Sequence, residues 1–302
     1  MALHGVDVSH HQNDAGMDVR RVAKAVDFVI VKATQGSSFV DPRCRQNLDG
    51  VREVGCLTGT YHFAGATGKV PGDPAAEANH YCDTVDRRPG EVLVLDYEPV
   101  KPPADPDGWC AAFLTQARER MGVMPLIYMG ELNTRERAWS RTRALSPGLW
   151  IARYGKNNGL RPSINLNVGS WGRFDMWQYT SEGRADGCKG VVDLNDFNGD
   201  AATWQRLADG TASGQPATPV GFDVAGWRAT KGDSSPHIEA LQRWGNREFP
   251  AFCKIAAPAP RYGRQTAAFV REFAHRSSIP EADGERIGPK IAAALAKAGF
   301  AG

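Results

Sequence analysis

The chain has 302 residues, with 36 Lys and Arg against 34 Asp and Glu, and 42% of its side chains are hydrophobic. That length holds two domains of ordinary size, or one large barrel with an appendage. A formal charge of +2 falls far short of the cationic excess with which a protein neutralises many phosphates, so nucleic acid is not an expected partner. No stretch approaches the ~18 consecutive apolar residues of a membrane helix, so membrane insertion is not expected either. The opening Met-Ala-Leu-His-Gly-Val-Asp has neither the basic nor the apolar region of an export signal, and a cytoplasmic start is expected. The six cysteines include no Cys-x-x-Cys pair, which speaks against a disulfide framework or a zinc knuckle.

In chain order, β-rich runs occur at Leu3–Val8, Asp27–Ala33, Leu57–Phe63, Glu91–Tyr97, Met124–Met129, Leu149–Arg153, Asp175–Tyr179 and Gly190–Leu194. Helix-patterned stretches near 18–26, 43–54, 74–87, 107–121 and 131–143 lie between the first six runs. Phe28-Val-Ile-Val31 and Val92-Leu-Val-Leu95 are continuously apolar, as strands covered on both faces are. The alternation predicts an α/β fold, a parallel sheet closed into a TIM-like barrel. The last two connections are too short or too rich in Gly for full helices, so the barrel is expected to be irregular at its end.

Residues 208–219 contain no bulky apolar side chain and read as a linker. Residues 1–217 carry 24 basic and 26 acidic side chains, whereas 218–302 carry 12 and 8. The expected organisation is a catalytic barrel over 1–207, the linker, and a small, mildly basic all-α domain over 220–302. In that domain Ile238–Trp244, Thr266–Phe273 and Ile291–Ala298 show apolar positions at helical spacing, with Pro236 and Pro289 at helix starts and Gly299 after the last helix.

Nearly every predicted barrel strand ends in polar or aromatic residues: Asp7, Lys32, Tyr61-His62, Asp96-Tyr97-Glu98, Tyr128, Arg153-Tyr154, Trp177-Gln178 and Asp193. In a parallel barrel these C-terminal strand ends converge on one rim, where barrel enzymes keep their active sites. Asp96 and Glu98 are two residues apart on a strand, so their side chains share a face, and Pro99 keeps Glu98 extended. Crowded carboxylates hold at least one proton near neutral pH, as glycoside hydrolysis requires. Tyr and Trp suit a sugar cleft because flat rings cover the apolar faces of pyranoses.

Two rival readings are a metal-dependent deacetylase and a non-catalytic carbohydrate-binding barrel. Against a metal, His10 and His11 point to opposite faces of an extended chain, and no His-x-His or His-x3-His pair is present. No cofactor is expected. A chitinase-like Asp-x-Asp-x-Glu is contradicted by Val94 at the first position.

Eight ordered segments, Gly5–Gln12, Phe28–Gly36, Thr60–Phe63, Val94–Glu98, Leu126–Tyr128, Trp150–Gly155, Trp177–Thr180 and Val192–Asn195, resemble the motifs of the glycoside hydrolase family 25 lysozymes. The resemblance covers residues 3–207. It implies five β/α units followed by three strands, and cleavage of the β-1,4 bond from N-acetylmuramic acid to N-acetylglucosamine in bacterial peptidoglycan. It also implies Glu98 as the acid, Asp96 as its catalytic neighbour, and Asp7 and Asp193 as further rim acids; Lys32, Tyr61, His62, Tyr128, Trp150, Arg153, Tyr154, Trp177 and Gln178 are the candidate substrate contacts. Gln35 departs from the pattern, which usually has Glu there.

Residues from Ile238 onward faintly resemble helical peptidoglycan-binding modules, through Ile238–Trp244 and Tyr262–Phe273. A basic wall-binding module joined to a muramidase is similar to a bacteriophage endolysin, which would wait in the host cytoplasm until released to the cell wall.

Overall fold

The computed structural model describes residues 3–66, 68–210, 224, 226–256, 258–279 and 282–300. The chain divides into two compact units, Met1–Gln215 and Pro216–Gly302. The expected linker lies outside the described residues from position 211 onward. Among the described residues no helix is long and apolar enough to cross a membrane.

The first unit is a closed barrel. Its strands are β1 (Leu3–Val8), β2 (Phe28–Gln35), β4 (Leu57–Phe63), β5 (Val92–Asp96), β6 (Leu126–Gly130), β7 (Leu149–Ala152), β8 (Met176–Gly183) and β9 (Val192–Phe197); β3 (Phe39–Val40) adds an antiparallel edge to β2. Neighbours from β1 through β8 pair in parallel, and the ring closes by β1 pairing with both β2 and β9. The last strand differs from the all-parallel expectation, because β9 runs antiparallel to both β8 and β1. The short connection from Gly183 to Val192 holds no helix, so the chain turns back as a hairpin instead of crossing over.

The helices of the first unit are α1 (His10–Asp14), α2 (Val19–Ala25), α3 (Cys44–Glu53), α4 (Pro74–Thr84), α5 (Pro106–Met121), α6 (Glu131–Glu136), α7 (Ser140–Ala144) and α8 (Ala201–Ala208). Asp-Pro pairs start α4 and α5: the Asp73 and Asp105 side chains accept from Ala76 N and Gly108 N at 2.8 and 3.1 Å, with proline in the first turn. Gly122, at φ 74°, ends α5. Two local differences from the predicted pattern have visible causes. The stretch after β1, read as an extended rim loop, forms one helical turn because Ser9 and Gln12 make a reciprocal capping box. The helix predicted over 131–143 is interrupted where Trp139 adopts φ 50° and buries its ring.

Period-two alternation explains the continuously apolar strands. Phe28, Ile30, Val92 and Val94 face the barrel interior, while Val29, Val31, Leu93 and Leu95 face the helices. Gly5 leaves room for this filling: a β-carbon there would lie 2.4 Å from the Phe28 carbonyl oxygen. Trp204 of α8 is fully buried; it packs on Phe28 and Phe197 at 5.1 and 5.2 Å between centroids and donates its indole N–H to the Gly90 carbonyl at 3.0 Å.

The second unit contains α9 (Pro236–Glu248), α10 (Arg264–Arg276) and α11 (Pro289–Lys297), plus a two-residue ladder of β10 (Ala229–Thr230) with β11 (Arg286–Ile287) absent from the all-α expectation. Leu241, Trp244, Phe269, Phe273 and Leu295 form its core. Buried Gln242 donates to Thr266 Oγ1 at 2.7 Å and to the Arg261 carbonyl at 3.0 Å, and accepts from Ala259 N at 2.7 Å. Its amide thereby anchors the chain at Ala259 and Arg261.

Trp204→Ala removes a fully buried indole and its hydrogen bond, so it should destabilise the first unit by about 3–5 kcal/mol. Chemical unfolding followed by far-UV circular dichroism checks this; a loss under about 1 kcal/mol would contradict the packing described.

Candidate active site

The alternation that fills the barrel also builds its upper rim. Above Val92 and Val94 on the same face come Asp96 and then Glu98, the first buried at the end of β5 and the second exposed just beyond it. Asp7 follows Gly5 on the interior face of β1. Asp193 reaches the same rim for a reason different from the one expected: it lies at the beginning of β9, and because β9 is antiparallel its beginning is at the top. Asp7 and Asp193 are direct partners across the β1–β9 ladder. Asp7, Asp96, Glu98 and Asp193 all line one cleft of about 200 Å3.

Asp7 is held by neutral donors. Its Oδ2 accepts from Asn195 Nδ2 at 2.7 Å and Gln178 Nε2 at 2.9 Å. Tyr128 and Tyr154 donate their hydroxyls to Gln178 Oε1 at 2.8 and 2.5 Å, which fixes the amide with its N–H2 toward Asp7. Trp150 does the same for Asn195, donating to its Oδ1 at 2.9 Å. Asp96 lines the cleft, and its Oδ1 is buried with no hydrogen-bond partner among the described residues.

These environments favour protonated carboxyls. Burial raises Asp7 to about 6 against the hydrogen bonds from Asn195 and Gln178. Burial and then the charge of Asp7 raise Glu98 to about 7, and the same two causes carry Asp193 to about 8. Glu98 is exposed as a residue yet lines the cleft, and the repulsion from Asp7 acts in the same upward direction as its desolvation. Asp96 is raised well above the ordinary range by burial and by Glu98, with Lys32 pulling the other way. The four groups titrate as one interacting set.

Of the expected substrate contacts, Lys32, Tyr61, Tyr128, Trp150, Tyr154 and Gln178 line the cleft. His62, Arg153 and Trp177 do not. Each is adjacent in sequence to a cleft residue or sits one alternation out of phase, so it faces away from the interior. His62 is fully buried, with Nδ1 bonded to Thr34 Oγ1 at 2.8 Å and Nε2 to Glu77 Oε2 at 3.1 Å. Arg153 pairs with Glu131, and its carbonyl accepts from the Trp177 indole at 3.0 Å. The Trp177 ring is covered by Arg161 at 4.8 Å.

Ser9, His11 and Phe63 also line the cleft, and Asn195 buttresses it, though none was among the expected site residues. Phe63 and Asn195 were within reach of the two-residue period from Tyr61 and Asp193. Among the described residues no three His, Cys, Asp or Glu side chains are grouped to hold a metal ion. His10 bonds through Nδ1 to Asp41 at 2.7 Å.

The raised carboxyls carry a stability cost that depends on pH. In the unfolded chain they titrate near ~4, so the folded protein binds the protons more tightly; the stability present below that pH is lost as pH rises from there to the folded values of about 6 to about 8. Asp193→Asn should therefore raise the melting temperature by a few degrees at pH 8 and change it much less at pH 4.5. Scanning calorimetry at the two pH values checks this; equal shifts at both would contradict it.

The family model described as glycosyl hydrolases family 25 matches residues 6–188. Lysozyme M1 of Streptomyces globisporus is 28% identical over 221 residues, covering 70% of this chain and 72% of that protein. The crystal structure of the bacterial lysozyme from Streptomyces coelicolor matches with a TM-score of 0.54 and 25% identity, covering 70% of this chain and 99% of that one. The catalytic domain of endolysin ply40, from bacteriophage P40 of Listeria monocytogenes, matches with a TM-score of 0.54 and 27% identity, covering 69% and 98%. Matched by the family model over more than half its length and sharing the barrel of these lysozymes, the chain belongs to glycosyl hydrolases family 25 and is a glycosidase.

Proposed function

We propose that this glycosidase hydrolyses the β-1,4 bond from N-acetylmuramic acid to N-acetylglucosamine in bacterial peptidoglycan, with Glu98 as general acid. The observation that carries the reading is the convergence of Glu98 with Asp7, Asp96, Asp193 and aromatic rings on one cleft, where burial and the charge of Asp7 raise the Glu98 carboxyl. A proton retained there at neutral pH is available to the departing glycosidic oxygen. Asp96 takes the neighbouring role. It lines the cleft beside Glu98, and in its ionised form it would accept from the N–H of the substrate's 2-acetamido group and stabilise the positive charge that this group acquires on attacking the anomeric carbon. Asp7, with Oδ2 already engaged by two amides, sets the field of the cleft together with Asp193 and is less suited to activate water.

The second unit supports a wall-binding role through its net basic composition and its resemblance to helical peptidoglycan-binding modules. Tethering would raise the local concentration of substrate for the barrel. The similarity to a phage endolysin catalytic domain supports a role in releasing phage by wall lysis, with the enzyme held in the host cytoplasm until it gains access to the wall.

Mass spectrometry of products from purified peptidoglycan should find reducing muramic acid ends; reducing glucosamine ends would contradict the assigned bond. Glu98→Gln should lower kcat by at least ~10²-fold, and an unimpaired variant would remove Glu98 from the acid role. Because the acid must be protonated, kcat/KM should fall as pH rises above about 7. Net retention at the anomeric carbon, followed by NMR, is expected if the acetamido group participates; inversion would transfer the base role to Asp7 or Asp96. Full-length Glu98→Gln should be retained on purified walls at low salt more strongly than a chain ending at residue 210; equal retention would contradict wall targeting by the second unit.

A further inference from the structure

Lys32 is the cation inside this acidic cleft, and its surroundings differ from those of a structural ion pair. The side chain is only 8% exposed. Its ammonium donates to Gln35 Oε1 at 2.8 Å and lies 5.0, 5.8 and 6.0 Å from the ring centroids of Phe63, Phe39 and Tyr61. The described residues place no carboxylate oxygen within the 4.0 Å of an ion pair. Asp96, Asp41 and Glu98 act on it only through space. Asp41 is committed elsewhere, with Oδ2 bonded to the His10 ring and backbone N–H and Oδ1 to the backbone N–H of Arg43.

Three rings and an amide oxygen solvate a cation without neutralising it. A buried ammonium lacking a contacting counter-ion is costly unless another group supplies one. Lysine has three N–H donors and Gln35 takes one, so two remain for a ligand at the cleft wall. The side chain at position 35 decides this state: a carboxylate there would close an internal ion pair, whereas the glutamine amide holds the ammonium in place and leaves its charge available.

We propose that Lys32, held by Gln35 and the Phe39–Tyr61–Phe63 rings, forms a subsite for a carboxylate of the substrate. The proposal rests on the peptidoglycan reading above and deepens it. In peptidoglycan the carboxylates nearest a glycosidic bond are the lactyl group of muramic acid, where no peptide is attached, and the acidic groups of the stem peptide. Either would form a charge-assisted contact in a poorly solvated place. The subsite thus selects glycan carrying free carboxylate over glycan in which it is capped.

Two pairs of substrates test this with the full-length chain. Peptide-free glycan strands are compared with their lactyl carboxylates free or capped as N-methylamides, and short peptide-bearing fragments with their peptide carboxylates free or capped. KM should be about tenfold higher for the capped member of one pair, with kcat little changed. Preference in the first pair assigns the lactyl group, and preference confined to the second assigns the stem peptide. Gln35→Glu should abolish the preference while the chain stays folded by circular dichroism. Equal wild-type KM within both pairs would overturn the subsite. So would a Gln35→Glu variant that shifts the pH profile equally on free and capped substrates while keeping their KM ratio, because Lys32 would then serve only the enzyme's own acids. If the wild type hydrolysed none of these glycans, the hydrolase reading would fail by itself. Equilibrium binding of free and capped strands to full-length Glu98→Gln would still test the subsite, with tighter binding of the free form expected and equal binding contradicting it.

Discussion

The reversed direction of the closing strand controls the chemistry at the rim. A strand that begins at the bottom of a parallel barrel carries its first residues far from the active-site end. By returning as a hairpin, β9 begins at the top and sets Asp193 opposite Asp7 in the β1–β9 ladder. Two carboxylates on adjacent strands, joined by Asp96 and Glu98 at the end of β5, then stand above an interior filled by Ile30, Val94 and Met176. An apolar layer beneath and like charges beside them disfavour ionisation, so the rim retains protons that isolated carboxyls would lose. Such a rim suits the general-acid role proposed for Glu98.

The polar support of this cluster is neutral wherever it contacts Asp7. Gln178 and Asn195 donate to it, and each amide is oriented by aromatic donors: Tyr128 and Tyr154 for the first, Trp150 for the second. The tyrosines and the tryptophan consequently do two things at once. Their rings form the cleft wall that a sugar would meet, and their N–H and O–H groups set the orientation of the amides behind it. Among the described residues that line the cleft, Lys32 is the one Lys or Arg, and it makes no ion pair with the acids. Its charge opposes the upward shift of Asp96 and Glu98 without cancelling it.

Much of this was readable from residue order. The Asp-Pro helix starts, the apolar β2 and β5 runs, and the same-face relation of Asp96 and Glu98 depend on local backbone geometry and a two-residue period. Six of the nine expected contact residues line the cleft. The three that do not, His62, Arg153 and Trp177, show what the period alone leaves open. A strand pattern says that neighbours such as Tyr61 and His62 face opposite ways, but which one faces inward depends on how the whole strand is rotated in the ring. Burial against α4, where Glu77 waits for the imidazole, decided that for His62. In the second unit, Gln242 belongs to a motif associated with ligand-binding modules, yet its amide is spent on the backbone of its own chain.

The sequence by itself determined the barrel class, the positions of its strands, the identity of the four acids and the departure at Gln35, because propensity, alternation and motif order are written along the chain. Tertiary structure alone decided the antiparallel course of β9, the facing of His62 and Trp177, and the surroundings of Lys32. Those features arise where strands distant in sequence close into a ring. The field and solvation at a side chain depend on partners brought together by that closure, and no local pattern contains them.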